Sequence, residues 1–291
     1  MIGVIGGSGN IGAPTIRNLV KRGASLRALT SSSNSAERLK ALGVSEVVVG
    51  NFRNSPDLRR TFQDCLSIFH VVPPFTEDEV EIGFRVIAAA QEAGVEHIVF
   101  NSVFHPQIRK MDHHVRKLLV EEAVIESGLA FNIIQPAMLM QNVQGVWRKV
   151  RSEGVYPVIA SPDKKLRLID AEDLGEAIAQ VLIDPGLRGA IFELSGPDAL
   201  TFVEMAAVIS EELNLPVKVK PLDENQRKAF ASSQGWGNYA SEAFLGMCRH
   251  YDDHGFPGGN PLVLTAILGR PASTYRNFIR RLIATSASDT A

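Results

Sequence analysis

The chain is predicted to fold as an α/β protein: a doubly wound parallel sheet carrying a smaller, mostly helical C-terminal substrate-binding part. Three observations predict it. Short apolar runs alternate with amphipathic segments through residues 1–130. Glycines at 23, 43, 94 and 128 stand where four of those segments stop, the usual place for a residue that closes a helix. A cluster of glycines separates the first apolar run from the first helix. Strands alternating with helices of this length form βαβ units, which require a parallel sheet covered on both faces.

In order, residues 2–5 read as a strand and 11–22 as a helix ended by Gly23. Residues 26–29 form the second strand, followed by a short helix over 36–42. Further strands rich in Val, Ile and Phe fall at 46–49, 68–72 and 97–100, separated by helices over 56–63 and 78–93. A helix over 110–127 and a strand at 131–134 continue the pattern. It loosens after Pro136, with a helix over 139–153, a strand at 166–169, a helix over 172–183 and a last buried strand at 191–194. From Pro197 the chain reads as mostly helical, broken by Gly and Pro, with Trp236, Tyr239 and Phe256 expected at the surface. Residues 1–138 plus 163–196 are therefore assigned to the sheet-based unit, and 139–162 plus 197–291 to a cap. The small polar tail from 285 to 291 is expected to fray.

Composition narrows the function. The 291 residues are 45% hydrophobic and 21% charged, which is globular rather than disordered. Thirty Lys and Arg against 32 Asp and Glu leave a formal charge of −2, so nucleic acid is not expected as a partner. Two cysteines cannot build a disulfide framework or a four-cysteine zinc site, and they suit a reducing cytoplasm. The start shows no signal-peptide pattern and no window holds 18 consecutive apolar residues, so no membrane partner is expected.

The strongest chemical signal is Gly6-Gly7-Ser8-Gly9-Asn10-Ile11-Gly12, directly after the first strand and opening the first helix. Bare backbone can approach a pyrophosphate there, free N–H groups point at it, and the helix dipole favours its charge. Gly12 would let the helix pack tightly on the strand. The residue type after the second strand selects the dinucleotide, because NAD calls for a carboxylate on the ribose hydroxyls. The chain has Thr30-Ser31-Ser32-Ser33-Asn34, with Arg38 and Lys40 beyond. NADP is favoured over NAD, while a plain polar loop capping the next helix would use the same serines.

These residues resemble the NmrA-like branch of the atypical short-chain dehydrogenases/reductases. The likeness extends through Gly50-Asn51-Phe52, Val71-Val72-Pro73-Pro74, Asn101-Ser102-Val103, His113-His114 with Lys117 and Glu121, and Gln135-Pro136-Ala137 to Gln141-Asn142. Ile169-Asp170 with Asp173, Tyr251 to Gly255 and Leu268 to Pro271 complete it, so it covers nearly the whole chain. The resemblance implies a Rossmann-type domain binding NAD(P)H, with a cap closing a cleft at the strands' C-terminal ends. It implies Asn51 and Phe52 flanking the adenine, and Val72, Pro73 and Pro74 beside the nicotinamide. Asp is more usual in that family where Asn51 stands, and Arg where Ser31 stands.

In the parent family a Tyr-x-x-x-Lys pair on one helix does the proton chemistry, its i, i+4 spacing setting both side chains on one face. Here the spacing is His113-x-x-x-Lys117. By resemblance Lys117 holds the nicotinamide ribose, His113 is the candidate proton donor, and Ser102 stands where the substrate-binding serine lies. His105 competes with His113. The bland alternatives are partly exposed histidines on a polar helix face and a surface ion pair of Lys117 with Glu121. Adjacent histidines diverge on a helix and no further ligands cluster near them, so no metal site is expected. Trp147, Trp236, Tyr239, Phe244 and Met138–Met140 suit a cleft for a flat apolar substrate, although Phe244 and Met247, at i+3, also suit the cap's own core.

The expected function is an NAD(P)H-dependent oxidoreductase, preferring NADPH, that passes hydride to a small, largely apolar carbonyl, quinone or conjugated substrate. The alternative is a non-catalytic NADP(H)-sensing regulator acting through a protein partner. An epimerase or dehydratase is disfavoured without the tyrosine. A homodimer is the expected assembly.

Overall fold

The structure, a computed structural model, describes residues 1–288. The first part alternates strictly: β1 (Ile2–Ile5), α1 (Gly12–Lys21), β2 (Leu26–Thr30), α2 (Ser33–Ala41), β3 (Glu46–Val49), α3 (Ser55–Phe62), β4 (Ser67–His70), α4 (Glu79–Glu92), β5 (His97–Asn101), α5 (Asp112–Glu126) and β6 (Ala130–Pro136). There follow β7 (Met138–Leu139), a 3-10 segment Met140–Val146, α6 (Trp147–Glu153), β8 (Val155–Val158), β9 (Leu166–Ile169), α7 (Ala171–Ile183) and β10 (Ala190–Leu194). The remainder is β11 (Ala199–Leu200), α8 (Phe202–Leu213), β12 (Lys218–Pro221), α9 (Glu224–Ser233), α10 (Asn238–His254), α11 (Leu262–Leu268) and α12 (Tyr275–Ser288).

Seven parallel strands lie in the order β10-β6-β5-β4-β1-β2-β3, the predicted doubly wound sheet. The order reverses between β1 and β4, which opens a crevice at their C-terminal ends. Register brings the ends level: Ile5 pairs with His70, His70 with Phe100, and Asn101 with Ile134. Residues alternate between faces, so Val4, Phe69, Val99 and Ile134 join the core under α1 and α7. Ile5, Ile68, Phe100 and Ile133 join the core under α3, α4 and α5.

Helices α1 and α7 touch almost backbone to backbone. A Cβ on Gly175 of α7 would lie 2.5 Å from Pro14 Cβ and 2.7 Å from Thr15 N of α1. The C-terminal segment is strapped onto the start of α7: Arg270 and the Ser273 N–H bind Asp173, and Arg281 binds the buried Asp170.

Several details differ from the sequence reading. The strand at 166–169 is not part of the main sheet; it pairs with β7 and β11. Strands β7, β8, β11 and β12 were not anticipated, because two to four residues interrupted by Pro157 or Pro221 carry no readable period. The segment read as one helix over 139–153 begins extended and passes through a 3-10 stretch. There the Gln141 amide binds Asp170 and accepts the Ala171 N–H, tying the stretch to the start of α7. Phe256 is buried, packed on Phe104, His105 and Tyr251, and Trp236 and Tyr239 are half-buried. Residues expected to fray are helical through Ser288, where Ser286 accepts from the Trp147 indole at 3.1 Å; residues 289–291 of that tail lie outside the described residues.

Ala is normally better than Gly inside a helix by about 0.5–1 kcal/mol. Gly175→Ala is nevertheless expected to destabilise the protein by about 1–3 kcal/mol, because the new methyl overpacks the α1–α7 contact. Urea unfolding, read as a lower midpoint at unchanged slope, checks this.

Candidate active site

The glycine turn is built from crowding. Gly6 sits at φ +74°, and a Cβ there would lie 2.2 Å from the Val71 carbonyl oxygen. A Cβ on Gly7 would meet Ile16 Cδ1 at 2.7 Å, and one on Gly12 would meet Gly6 O at 2.2 Å and Gly7 Cα at 2.6 Å. Those three glycines are demanded by the protein itself. Gly9 is not: its Cβ would find only Gly6 O, at an ordinary 3.6 Å. Its bare backbone faces outward beside exposed Ser8 and Asn10, with Ile11 half-buried behind them. Helix α1 starts there with no side-chain cap and no acidic residue in its first turn. Free N–H groups and a positive helix end fit a pyrophosphate. A cavity of about 500 Å³ extends from Ser8, Gly9 and Asn10 to Gln141 and Arg281.

At the end of β2, Thr30 is buried while Ser31 and Ser32 are exposed. Ser32 caps α2 by accepting the Ser35 N–H at 3.2 Å, and the Ser35 hydroxyl accepts from Arg38 at 3.1 Å. The loop thus keeps its local capping role and places a guanidinium one turn into α2. After β3, the Asn51 side chain accepts the Arg53 N–H at 2.9 Å, and Phe52 carries the Arg53 guanidinium 4.9 Å from its ring centre.

The ends of β4 and β5 lead to the candidate catalytic groups. Val71 and Val72 are buried, Pro73 and Pro74 exposed, and Thr76 closes the turn onto Pro73 O at 2.8 Å. Ser102 is buried, its N–H donating to Ile134 O at 2.8 Å. His113, Lys117 and Glu121 share one face of α5, as the spacing predicts, and all three are buried. The surface alternatives do not describe them. Lys117 pairs with Glu79 of α4, Nζ to Oε1 at 2.6 Å, not with Glu121. Its ammonium also lies 5.5 Å from the centre of the Phe100 ring.

Electrostatics follows from burial. Desolvation pushes the Glu79 carboxyl up, opposed by Lys117. It pushes Glu121 up as well, opposed by the Ser102 hydroxyl and by the Gln135 amide, which donates at 2.9 and 3.0 Å. The histidines move the other way. Burial, then His114 and Lys117, lower His113 to about 2. Burial lowers His114 to about 4, with its Nδ1 3.3 Å from His105 O, and lowers His70 to about 3, stacked on Phe100 at 5.3 Å. All three are uncharged imidazoles at neutral pH. His105 turns away, with φ +50°, its ring stacked on Phe104 and its Nε2 3.2 Å from Glu193.

Three groups here were not singled out from sequence. Glu79 falls at the start of the helix read over 78–93, His70 inside the strand read at 68–72, and Phe75 between the two. The cap expectations divide. Phe244 belongs to the cap's own cluster, but Met140 and Trp147 are buried in the main core, so they do not line a cleft.

The NmrA-like family model matches residues 1–278. The chain belongs to the NmrA-like family. An NAD(P)H azoreductase of Xenophilus azovorans is 28% identical over 96% of this chain and 97% of its own length. Quinone oxidoreductase 2 of Escherichia coli is 22% identical over 97% of this chain and 98% of its own length. Among solved structures, the triphenylmethane reductase of Citrobacter sp. in complex with NADP(H) superposes with a TM-score of 0.82 at 20% identity, covering 97% of this chain and 99% of that one. NmrA itself, a negative transcriptional regulator in complex with NAD, superposes at 0.78 with 19% identity, covering 99% and 97%. Among the described residues no helix is long and apolar enough to cross a membrane.

Two stability measurements test this reading of the site. Gly9→Ala should leave the unfolding midpoint nearly unchanged, whereas Gly12→Ala should cost about 3 kcal/mol or more through backbone collision. His70→Leu should stabilise the protein by about 1–3 kcal/mol at neutral pH, because neither ring nitrogen has a hydrogen-bond partner among the described residues. The gain should widen on acidification. A histidine lowered to about 3 binds its proton only in the unfolded chain between the ordinary 6.5 and that value. Wild-type stability is thus lost as pH falls through this window by about 1.4 kcal/mol per pH unit for this group. Urea unfolding of both proteins at pH values above and below 6.5 reads the difference.

Proposed function

We propose that this chain is an NAD(P)H-dependent oxidoreductase that reduces a small, largely apolar carbonyl, quinone or conjugated acceptor, with NADPH preferred to NADH. One observation carries the reading. Gly9 is the glycine of the turn that internal packing does not explain, and it leaves bare backbone at an uncapped helix start beside the crevice of the sheet. The names of the family relatives, an azoreductase and a quinone oxidoreductase, support an enzyme rather than a regulator.

Gly6, Ser8, Gly9, Asn10, Ile11 and Gly12 would hold the pyrophosphate. Thr30, Ser31 and Ser32, with Arg38 one turn on, would take the adenosine ribose and its phosphate, and Asn51 and Phe52 would flank the adenine. Val72, Pro73 and Pro74 would run beside the nicotinamide, with Lys117 on its ribose. When bound, NADPH supplies the hydride, and one proton besides completes the two-electron reduction of the acceptor. Glu79 fixes the position of the Lys117 ammonium inside the fold. His113, uncharged at neutral pH, offers the acceptor a hydrogen bond and not a proton from an imidazolium. Ser102 is held at the end of β5 by its N–H on Ile134 O, while the Gln135 amide binds the Glu121 carboxylate beside it.

The test is NADPH oxidation with a panel of quinones, azo compounds and aromatic carbonyls. Turnover with at least one class is expected, lowered about 100-fold in His113→Phe, which keeps a ring in place and removes the hydrogen bond. Lys117→Ala alone is a poor probe, since it strands Glu79 in the core at about 3–5 kcal/mol. The Lys117→Met, Glu79→Gln double variant should keep a wild-type melting temperature and lose about tenfold or more in NADPH affinity. Tight NADPH binding without oxidation by any acceptor would contradict the enzyme and favour the sensing regulator.

A further inference from the structure

The groups that would meet an acceptor are closed off, with His113 7%, Lys117 6% and Ser102 2% exposed. Two rings pack against His113: His114, beside it on α5 at 4.5 Å, and Phe75, in the loop between β4 and α4. Its ring stands edge-on to the His113 imidazole, centres 4.7 Å apart. Its other neighbours are Trp236 at 5.3 Å and Phe244 at 6.1 Å, both at the T-shaped angles that aromatic rings prefer. Trp236, Phe230 and Phe244 contact one another as well, at 5.4 to 6.1 Å.

Phe75 also ties the loop after β4 to the α9–α10 segment. The apolar cluster of the α9–α10 segment consists of Phe75, Ala231, Ala243, Phe244, Leu245 and Cys248, with Trp236 and Tyr239 packed against it. Phe75 is the single member of that cluster from residues 1–138 among the described residues. It takes this place at φ +59°, a left-handed conformation that an aromatic residue adopts only when its surroundings hold it there.

We propose that Phe75 is the specificity-determining residue of the site, a ring that an acceptor must move aside and then lie against in order to reach His113. The inference rests on the oxidoreductase reading and names its substrate class: flat aromatic acceptors. Moving the ring aside costs the same for every acceptor, so the choice among them is made by the contact with Phe75 that follows. A planar ring entering at His113 takes up an edge-to-face contact with the shifted Phe75, of the kind Phe75 makes with His113, Trp236 and Phe244. A saturated ring of the same size makes none. Preference for the flat acceptor is thus carried by the Phe75 ring and is lost with it.

The experiment compares two acceptors with the same reacting group, naphthoquinone and tetrahydronaphthoquinone, at saturating NADPH. The ratio of their kcat/KM values is measured for the full-length wild type, Phe75→Tyr and Phe75→Gly. Glycine suits the left-handed backbone and removes the ring. The wild type and Phe75→Tyr are expected to share one ratio, and Phe75→Gly to shift it by about tenfold or more toward the saturated acceptor, mainly through KM. NADPH affinity should be the same in all three. An unchanged ratio in Phe75→Gly overturns the proposal. If that variant does not fold, Trp236→Leu, at the opposite wall of the same ring cluster, must shift the ratio in the same direction, and a wild-type ratio there overturns it equally. Wild-type protein that oxidises NADPH with neither quinone nor any other acceptor refutes the oxidoreductase reading instead.

Discussion

The close approach of the first glycine turn to the loop after β4 is the constraint on which the site depends. Gly6 and Gly12 meet backbone within distances no side chain tolerates, and Gly6 does so against Val71, the residue that opens the β4 loop. The same contact therefore holds the start of α1, the crevice of the sheet and the Val71–Pro74 loop in one fixed arrangement. Helix α7 locks α1 from behind through Gly175, and the C-terminal strap fastens α7 through Asp170 and Asp173. Rigid support of this kind is what lets a glycine-rich turn present backbone N–H groups at a defined place.

A second constraint acts across the sheet, where the site buries charge instead of exposing it. Lys117 and Glu79 compensate one another, and four nearby titratable groups, His70, His113, His114 and Glu121, are all shifted toward their uncharged forms by desolvation. Lys117 and Glu79 are buried against each other at 2.6 Å, so removing either member is far more costly than removing both. A histidine in the place of the parent family's tyrosine fits this environment as a neutral hydrogen-bonding group.

The fold was legible because its information is local. Alternating apolar runs and glycine stops at 23, 43, 94 and 128 gave the order of elements, and the parallel sheet follows from that order. The glycine turn was legible for the same reason, its residues being consecutive. What escaped was long-range pairing. Glu79 and Lys117 are 38 positions apart and belong to different helices, so nothing in either segment announces the pair. Phe75 lies in a loop whose partners, Trp236 and Phe244, come from the far end of the chain. The strand at 166–169 was correctly read as extended, but its pairing was not legible, since its partners β7 and β11 are two residues each.

Calorimetric titration of NADPH into the wild-type protein and into Gly9→Ala, compared at matched melting temperatures, bears most directly on the dinucleotide site. One site per chain in the wild type, weakened by about 1.4 kcal/mol or more, or tenfold, in the variant, is predicted. Equal affinity in the two proteins, or no binding to the wild type, would contradict a dinucleotide held on this turn.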